Sequence, residues 1–402
     1  MNEPILQGIR VVDMTHYLAG PTVTRMMAEL GADIVKIEQP PYGDASRTLA
    51  VIRQGRSGYF VSQNRGKRSL CLDITDPRGR QVLDELIARA DVVVENYGPG
   101  VLEKRGLGWA DLHARHPGLI MASISGFGRH GAYSHKAAFD SIAQAYSGIM
   151  ALTGPADGPP MPVGASIGDV SAGVHAVAGI GMALFHRERT GRGQHIDIAM
   201  VDALVHSHDV AIQGPPLTGG RWTPNRSGQR SALNAPMGVY RGVTGWIVLH
   251  IMQGQWGAFC RAVGHPEWEH DERFCGLRER NRHRDELNAL VEEWMAAQPD
   301  DAGLIAQLEA HRVPCALVLE PHNIPDHPYF VDRGAVRRVP DPILGEVVVP
   351  GNPLRFSEQP DHLELVAPLL GEHNAEVLTE LGYDQATIDN LMTDGVIQRG
   401  DT

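Results

Sequence analysis

The first two hundred residues alternate short apolar runs with longer stretches of helical periodicity. Apolar runs typical of buried strands occupy residues 9–14, 33–38, 69–74, 91–95, 119–124 and 195–199. Helical patterns lie between them, at 22–30, 79–90, 140–152 and 170–188, with one more from 201 onward. Thr75 is the predicted N-cap of the helix over 79–90. Strands that alternate with helices of this length are typical of βαβ units, so the sequence predicts an open, mostly parallel α/β sheet.

The pattern changes between Gly214 and Pro236, where proline, glycine and arginine accumulate and apolar periodicity is weak. We interpret this segment as a linker or an active-site loop. After it, a hairpin that turns at Thr244–Gly245 is predicted, followed by helices near 255–263, 284–298 and 301–312. The predicted layout is a large α/β domain over 1–213, a linker over 214–236, a smaller α+β domain over 237–324, and a linker with a return to the large domain over 325–402.

Composition and charge narrow the class of protein. Hydrophobic residues make up 43% and charged residues 21% of the chain, as in soluble globular proteins. The net charge of −12 disfavours a nucleic-acid partner, although a local basic pocket can still hold an anionic ligand. The four cysteines form no CxxC pair, as expected of a reduced, cytoplasmic protein. The most apolar segment, Ser171 to Phe185, is shorter than a membrane span and contains His175, so no membrane association is expected.

Three motifs lie where strands are predicted to begin or end. Gly126–Gly131 matches the G-x-G-x-x-G dinucleotide pattern, but no clear helix follows it. A glycine-rich loop that allows close backbone approach is the better interpretation. The basic cluster Asn64–Ser69 precedes a predicted strand, and the turn Asn96–Gly100, with Lys104 just beyond it, follows another. Together they predict cations and free backbone amides at the carboxyl ends of strands, where open α/β sheets bind anionic cofactors.

Asp169 stands at the start of the Gly- and Ala-rich helix, within Gly164–Gly173. The local pattern favours a helix N-cap, for which aspartate is among the best residues. The alternative is a carboxylate nucleophile, held between glycines so that a substrate carbonyl can approach. The local pattern leaves both interpretations open. His206 and His208 point to different faces of a predicted helix and have no third ligand, so no metal site is predicted.

A resemblance to a known family extends over essentially the whole chain. The matching segments are Gly8–Thr15, Ala19–Pro21, Leu30–Glu38, Gly43–Arg47, Asn64–Ser69, Glu95–Gly100, Thr190–Gln194 and Pro368–His373. They resemble the class III CoA-transferases, the group that contains formyl-CoA:oxalate CoA-transferase, the carnitine-metabolism CoA-transferase and the α-methylacyl-CoA racemases. The resemblance implies a Rossmann-like large domain, a smaller domain and an interlaced homodimer, with the segments 214–236 and 325–350 as the crossings.

The resemblance also implies roles for individual residues. The family's nucleophilic aspartate corresponds to Asp169, which would carry an anhydride and then a CoA thioester. The CoA-contacting positions that the resemblance implies are Ala19, Leu72, Asp73, Ile74, Thr75, Asn96, Tyr97, Gly98, Lys104 and Lys136. The acyl pocket that it implies consists of His16, Leu18, Phe139 and Asp140. Coenzyme A enters as the acyl-CoA substrate, and no metal is expected.

Departures from the family pattern bear on the reaction. The formyl-CoA:oxalate enzymes carry a long glycine-rich insertion and a glutamine after the first strand; here the stretch 219–235 is short and position 18 is leucine. Oxalate is therefore not the expected substrate, and the substrates of the family favour a small dicarboxylate such as succinate. The family's racemases need a second base, a histidine about 30 residues before the aspartate, and Phe139 occupies that position. CoA transfer is expected, with a racemase or epimerase and an inactive CoA-binding protein as alternatives.

Overall fold

The computed structural model describes residues 3–359, 363 and 365–400. Its strands are β1 (Arg10–Met14), β2 (Asp33–Glu38), β3 (Ile52–Arg53), β4 (Arg56–Ser57), β5 (Arg68–Cys71), β6 (Val92–Glu95), β7 (Ile120–Ser125), β8 (His195–Ala199), β9 (Met237–Arg241), β10 (Trp246–His250), β11 (Cys315–Leu317), β12 (Val336–Asp341) and β13 (Gly345–Pro350). Its helices are α1 (Ala19–Ala28), α2 (Gly58–Asn64), α3 (Pro77–Ala88), α4 (Trp109–Arg115), α5 (Asp140–Tyr146), α6 (Ile149–Leu152), α7 (Ile167–Thr190), α8 (Met200–Val205), α9 (Gly214–Leu217), α10 (Trp256–Ala262), α11 (Leu277–Arg282), α12 (Arg284–Ala296), α13 (Asp301–Ala310), α14 (Pro328–Asp332), α15 (Asn374–Leu381) and α16 (Gln385–Thr393).

Six of these strands form one parallel sheet in the order β5–β2–β1–β6–β7–β8. The chain begins at the centre with β1 and moves outward to β2 and β5. It then returns to the other side of β1 and continues through β6, β7 and β8. This reversal creates a switch point between β1 and β6, and ligands of open α/β sheets bind outside the carboxyl ends of the strands at such a point. The predicted open, mostly parallel α/β sheet is confirmed.

Contacts divide the chain into two compact units. The first comprises Met1–Ser147, Val163–His208 and Pro325–Thr402, and the second comprises Gly148–Pro162 and Asp209–Ile324. The parallel sheet belongs to the first unit, and an antiparallel sheet in the order β11–β10–β9 belongs to the second. The domain boundaries that the sequence suggests stay predictions.

The core of the first unit lies between the parallel sheet and the helices beside it. β6 is buried at every position, which is typical of a parallel strand covered on both faces. Helix α3 contributes one apolar face to this core, and the carboxyl-terminal helices α15 and α16 return to it. The side chain of Asn374 at the start of α15 accepts a hydrogen bond from the backbone N–H of Cys71 at 2.9 Å. The last segment of the chain thus completes the core of the first unit.

Helix α7 runs for 24 residues and ends at Gly191, whose φ of 69° is typical of a glycine at a helix end. Its start and its packing position the candidate site described below. The helix is long and apolar enough to cross a membrane. Core helices of soluble proteins can have the same length and composition, so these two properties do not indicate a membrane span. Four of its apolar side chains are exposed in the chain as described: Val170, Val174, Met182 and Phe185.

The second unit contains the predicted hairpin. β9 and β10 pair antiparallel, with Arg241 opposite Trp246. The carboxylate of Asp301 fixes the turn between them, because it accepts hydrogen bonds from the backbone N–H groups of Val243, Thr244 and Gly245. The hairpin predicted around Thr244–Gly245 is therefore confirmed. An aromatic core that includes Trp256, Phe259 and Phe274 lies in the same unit.

Two local predictions are wrong. Asp76 caps α3 by accepting a hydrogen bond from a backbone N–H of the first turn, and the predicted cap, Thr75, instead donates to Asp73. Pro77 decides the start of this helix, because proline is favoured at the first helical position. The helix predicted over 140–152 ends early, because Gly148 takes a left-handed conformation with φ 87° between α5 and α6.

Candidate active site

A cavity of about 380 Å³ opens at the carboxyl ends of β1, β6 and β7, beside the switch point of the sheet. Its walls come from the segments that follow these strands and from the start of α7. The lining residues are 16–19, 96–99, 124–126, 136–139, Asp169 and Met200. Of the residues implied by the family resemblance, the cavity brings together His16, Leu18, Ala19, Asn96, Tyr97, Gly98, Lys136, Phe139 and Asp169.

Asp169 lies in the first turn of α7, after the N-cap Ser166. Its interpretation as the N-cap is therefore wrong, because the helix begins earlier than the sequence pattern indicates. Burial, and then the negative charge of Asp140, raise the pKa of Asp169 to about 6. At neutral pH the side chain is a poorly hydrated carboxylate, which suits a nucleophile.

Asp140 lies beneath the start of α7 and is not among the residues that line the cavity. Its Oδ1 accepts hydrogen bonds from the backbone N–H of Gly168 at 2.7 Å and of Asp169 at 3.4 Å. Its Oδ2 accepts from Nε2 of the buried Gln144 at 2.7 Å. Gln144 in turn accepts from the backbone N–H of Val163 at 2.8 Å. Asp140 therefore holds the backbone of the first turn of α7, where the resemblance implied an acyl-pocket residue.

The loop after β1, residues 15–18, is fixed by the side chains of Asp13 in β1, Asn96 after β6 and Asp44 in the segment that follows β2. The N–H of Thr15 donates to Asp13 at 2.9 Å. The N–H of His16 donates to Oδ1 of Asn96, and Nδ2 of Asn96 donates back to the carbonyl of His16, both at 2.8 Å. The N–H of Tyr17 donates to Asp44 at 3.3 Å. We call this segment the 15–18 loop.

Four fully buried charged side chains lie beneath the 15–18 loop. Nζ of Lys36 is 2.9 Å from Asp44, and Nζ of Lys67 is 2.9 Å from Asp13. Lys36 also donates to the carbonyl of Thr15 at 2.6 Å. Burial alone would raise the pKa of Asp13, but Lys36 and Lys67 outweigh it and lower the pKa to about 2. Burial lowers the pKa of Lys67 to about 8 although Asp13 opposes this shift. The loop thus rests on paired charges that water does not reach.

Two rings of the 15–18 loop reach the cavity. Nε2 of His16 is 2.8 Å from the hydroxyl of Tyr97, and burial lowers the pKa of His16, so the imidazole is neutral near pH 7. Tyr17 has φ 63°, a left-handed conformation that non-glycine residues rarely adopt. Its ring lies edge-on to Phe139 with centroids 6.1 Å apart. The phenylalanine side chain is thus part of the cavity wall and cannot exchange a proton.

Gly126 explains the glycine-rich motif after β7. A Cβ at this position would lie 2.3 Å from Cβ of Ala138, so only glycine lets the segment 136–139 approach the end of β7. Gly128, two residues on, has φ 76°. The interpretation of the motif as a loop for close backbone approach is confirmed.

The segment 72–75 lies away from the cavity lining. It follows β5, which is separated from β6 by β2 and β1. Leu72 is fully buried and Ile74 packs against the core, so any ligand contact of these two residues falls to their backbones. Oδ1 of Asp73 accepts from Nε2 of Gln39 at 3.0 Å and from the hydroxyl of Thr75 at 2.6 Å. This turn offers a second group of polar atoms at the carboxyl edge of the same sheet.

Two lysines implied by the resemblance lie in different surroundings. Lys104 is exposed in a short 3-10 turn after β6. Lys136 lines the cavity, and its ammonium lies 4.2 Å from the ring centroid of Tyr133, 5.3 Å from that of Tyr146 and 5.9 Å from that of Phe127. Among the described residues, neither ammonium has an acidic partner. The two lysines are therefore free to meet an anionic ligand.

Sequence reasoning missed several residues of the site, among them Tyr59, Ser125 and Met200. Tyr59 on α2 is close enough for charge effects, because burial, and then the charges of Asp169 and Asp44, raise its pKa to about 12. Ser125 and Met200 line the cavity directly. No local pattern marks these residues, because each lies in or beside an ordinary short element. Within the part of the chain that the structure describes, no group of three or more His, Cys, Asp or Glu residues is placed to hold a metal.

Comparisons with known proteins agree with this geometry. The sequence model of CoA-transferase family III matches residues 6–374. The formyl-CoA:oxalate CoA-transferase of Streptomyces coelicolor is 37% identical over 415 residues, which cover 99% of this chain and 100% of that protein. The succinyl-CoA–D-citramalate CoA-transferase of Chloroflexus aurantiacus is 35% identical over 379 residues, 94% of each protein.

A solved structure shows the same fold. The crystal structure of a CaiB/BaiF family protein from Brucella suis superposes with a TM-score of 0.83 and 35% identity, and the match covers 95% of this chain and 100% of that one. The chain therefore belongs to CoA-transferase family III and is an acyl-CoA:carboxylate CoA-transferase that acts on CoA thioesters.

Proposed function

We propose that this enzyme transfers CoA through a covalent relay on Asp169, from an acyl-CoA to a free carboxylic acid, with a small dicarboxylate such as succinate as the donor acid. The observation that supports this most directly is the position of Asp169, a largely desolvated carboxylate at a cavity on the carboxyl ends of β1, β6 and β7. Leu18 and Phe139 give the cavity apolar walls, which limit hydrolysis of an activated acyl group.

The relay begins when a carboxylate oxygen of Asp169 attacks the thioester carbonyl. The carbon–sulfur bond breaks, CoA leaves as the thiolate, and an acyl-aspartyl anhydride forms. The thiolate attacks the aspartyl carbonyl of this anhydride, so that the donor acid leaves as a carboxylate and an aspartyl-CoA thioester remains. The acceptor carboxylate then displaces the thiolate to form a second anhydride. The thiolate attacks the acceptor's carbonyl, which yields the new acyl-CoA and frees Asp169.

CoA itself would lie along the carboxyl edge of the sheet. Ala19, Asn96, Tyr97 and Gly98 line the cavity and would take the part of CoA that leads to the thiol. The segment 72–75 would meet the cofactor farther out, partly through its backbone. Lys104 would bind a phosphate of CoA, because its exposed ammonium can form a charge-assisted hydrogen bond with it. We expect Lys104→Ala to weaken the binding of CoA more than that of dephospho-CoA. An equal change in the two dissociation constants would show that Lys104 does not bind the 3′-phosphate.

We also propose that the enzyme is a cytoplasmic homodimer, interlaced through the segments 214–236 and 325–350. The exposed apolar side chains of α7 support a second copy, because isolated chains rarely leave so much apolar surface in water. Light scattering on the full-length protein measures the mass. We expect twice the chain mass for the wild type and a shift toward the monomer for Met182→Glu combined with Phe185→Glu. A monomeric wild type would contradict the proposal.

The names of the relatives suggest the class of acid. Oxalate, succinyl and citramalate in these names derive from dicarboxylic acids, and formyl derives from a monocarboxylic one. Leu18, and the absence of a glycine-rich insertion in 219–235, argue against oxalate for this chain. A panel of acyl-CoA donors and free acids, with mass spectrometry of the CoA products, tests the choice of substrate. Transfer to oxalate at least as fast as to succinate would contradict it.

Asp169→Ala tests the relay. We expect activity to fall by more than about a hundredfold while the circular dichroism spectrum and the mass of the assembly stay unchanged. Wild-type enzyme incubated with acyl-CoA and no acceptor should carry a hydroxylamine-sensitive adduct on Asp169. Absence of this adduct from the intact-protein mass spectrum would favour direct transfer without a covalent intermediate.

The racemase alternative predicts a different isotope result. Proton exchange at an α-carbon between two faces needs two bases, and Phe139 cannot serve as one of them. We expect (R)-2-methylacyl-CoA in deuterated water to gain no deuterium at the α-carbon. Deuterium uptake at catalytic rates that disappears in Asp169→Ala would support the racemase. Absence of both exchange and transfer across the whole panel would leave the inactive CoA-binding protein.

A further inference from the structure

Lys136 is an unusual cation because aromatic rings, and no acid, surround it. The rings of Phe127, Tyr133 and Tyr146 contact one another, with centroids 4.9 to 6.3 Å apart, and the ammonium lies within 6 Å of all three. Among the described residues, no hydrogen bond or ion pair engages Nζ. Cation–π contact holds the ammonium in place while leaving its three N–H donors available.

The charged side chains of the cavity lining balance one another only while Asp169 is a free carboxylate. The charged side chains among its lining residues are Asp169 and Lys136, and His16 is neutral near pH 7. When Asp169 carries an acyl group or CoA, its negative charge is gone. Lys136, whose side chain is exposed, is then the one remaining charged side chain among the described residues that line the cavity. A substrate with one additional negative charge restores neutrality.

We propose that Lys136 is a specificity-determining residue that binds the second carboxylate of a dicarboxylic acyl group while the first reacts at Asp169. This inference rests on the proposed function, and it makes the acyl group, and not CoA, the binding partner of Lys136. The residues that follow Lys136 in the sequence fit this binding mode. Ala137, Ala138 and Phe139 line the same cavity. They offer apolar contact to the carbon chain between two carboxylates.

A phosphate of CoA fits this position less well than a carboxylate does. Phosphates in proteins are met by several charged donors or by a helix N-terminus. The described lining of the cavity offers Lys136 no second cation. The nearby helix α5 has only seven residues and begins with the negative side chain of Asp140. One ammonium balances one carboxylate, whereas a phosphate dianion would stay unbalanced.

The test compares acids that differ only in the second carboxylate. The acceptors are succinate against butyrate and glutarate against valerate, with the acyl-CoA that the wild type uses fastest as the common donor. The variants are Lys136→Met, which removes the charge and keeps most of the side-chain length, and Lys136→Arg, which keeps the charge. Lys104→Met changes an exposed lysine that lies outside the cavity lining and serves as the control. Titration calorimetry measures the affinity of each variant for free CoA, and thermal unfolding checks the fold.

We expect Lys136→Met to lower kcat/KM about ten- to a hundredfold for succinate and glutarate, and no more than about twofold for butyrate and valerate. Lys136→Arg should recover part of the loss, and the affinity for CoA should stay within about twofold of the wild type. Lys104→Met should affect both members of each pair equally.

Three outcomes would overturn the assignment. Equal losses for both members of a pair, together with weaker CoA binding, would make Lys136 a ligand of CoA. Unchanged rates for all four acids would leave the cation without a role in selection. A wild type that uses butyrate at least as well as succinate would remove the preference itself. Failure of the proposed function is different, because the wild type would then transfer CoA to none of the acids.

Discussion

The 15–18 loop and the segment 136–139 form two walls of one cavity, yet they are held in place by different means. The 15–18 loop rests on fully buried ion pairs, and its backbone N–H groups donate to the side chains of Asn96 and Asp44. The segment 136–139 has exposed side chains, among them Phe139 at 68%, and its lysine is held by three aromatic rings. One wall is fixed by electrostatics that water cannot screen, and the other by contacts at the surface.

The difference in how the two walls are held matters because an enzyme needs both a fixed reaction site and an adaptable substrate pocket. Buried ion pairs add little net stability compared with apolar packing, but removing one partner is costly, so the wall they support tolerates little change. Surface substitutions usually change stability by less than about 0.5 kcal/mol, so the wall around Lys136 can change without loss of the fold. We infer that the 15–18 loop serves the chemistry common to all substrates, whereas the segment 136–139 selects among them.

The largest effect should come from breaking the buried support of the 15–18 loop. Lys36→Met leaves Asp13 and Asp44 with fewer partners and should lower the free energy of unfolding by about 3–5 kcal/mol. Lys136→Met should change it by less than about 0.5 kcal/mol. Urea unfolding at pH 7.5 measures both values. Similar losses in the two variants would erase the distinction between the walls.

The next effect concerns Asp169, which lies between the walls. Its pKa is raised to about 6, so its ionisation costs more in the folded chain than in the unfolded one. Asp169→Asn should therefore stabilise the inactive enzyme by at most about 3 kcal/mol above pH 6. The gain should shrink as the pH falls toward 4, because the folded side chain is then neutral and the unfolded one is only about half ionised. Unfolding measured at pH 4, 5, 6 and 7.5 follows the trend, and a gain that grows toward acid would contradict it.

A smaller effect should appear in the pH–rate profile. Asp140 is the second cause of the raised pKa of Asp169, after burial. Asp140→Asn removes its charge and keeps an oxygen for the N–H of Gly168, so the acid limb of kcat/KM should move down by less than about one pH unit. Asp140→Glu, which keeps the charge, is the matched control. Tyr59, the other titratable group that senses Asp169, is neutral over this range. An acid limb that stays in place would exclude Asp140 from this role.

The smallest effect should come from the strained residue of the 15–18 loop. Tyr17→Gly and Tyr17→Ala remove the same ring, but only glycine accepts φ 63° without steric cost. We expect the glycine variant to unfold with a free energy about 1 kcal/mol higher than the alanine variant. Equal stabilities would mean that the left-handed conformation is lost when the ring is removed.

The sequence predicts the large sheet well, because its strands are continuous apolar runs such as 91–95 and its helices have clear periodicity. Boundaries were less certain where a single residue decides them, as Pro77 does for α3 and Gly148 for the end of α5. The paired charges beneath the 15–18 loop could not be predicted. Lys36 lies inside an apolar strand, and its partner Asp44 becomes a neighbour only when the sheet forms.

The candidate site was predictable in part. The local pattern placed Asp169 at the start of a helix but left its role open, and the family resemblance supplied the role. The ring cluster around Lys136 carries no signal, because Phe127, Tyr133 and Tyr146 follow no helical or strand period. Their meeting depends on the close approach at Gly126, which is a property of the folded backbone.

Gly173 sets the distance between the helix that begins at the 15–18 loop and the helix that carries the nucleophile. A Cβ there would lie 2.9 Å from the carbonyl oxygen of Ala19 and from the side chain of Thr22, so α1 and α7 touch at backbone distance. Each added carbon at position 173 would push the two helices apart and widen the gap between Leu18 and Asp169. Because Gly173 is not among the residues that line the cavity, a larger side chain there would act on the site only through the spacing of the two helices.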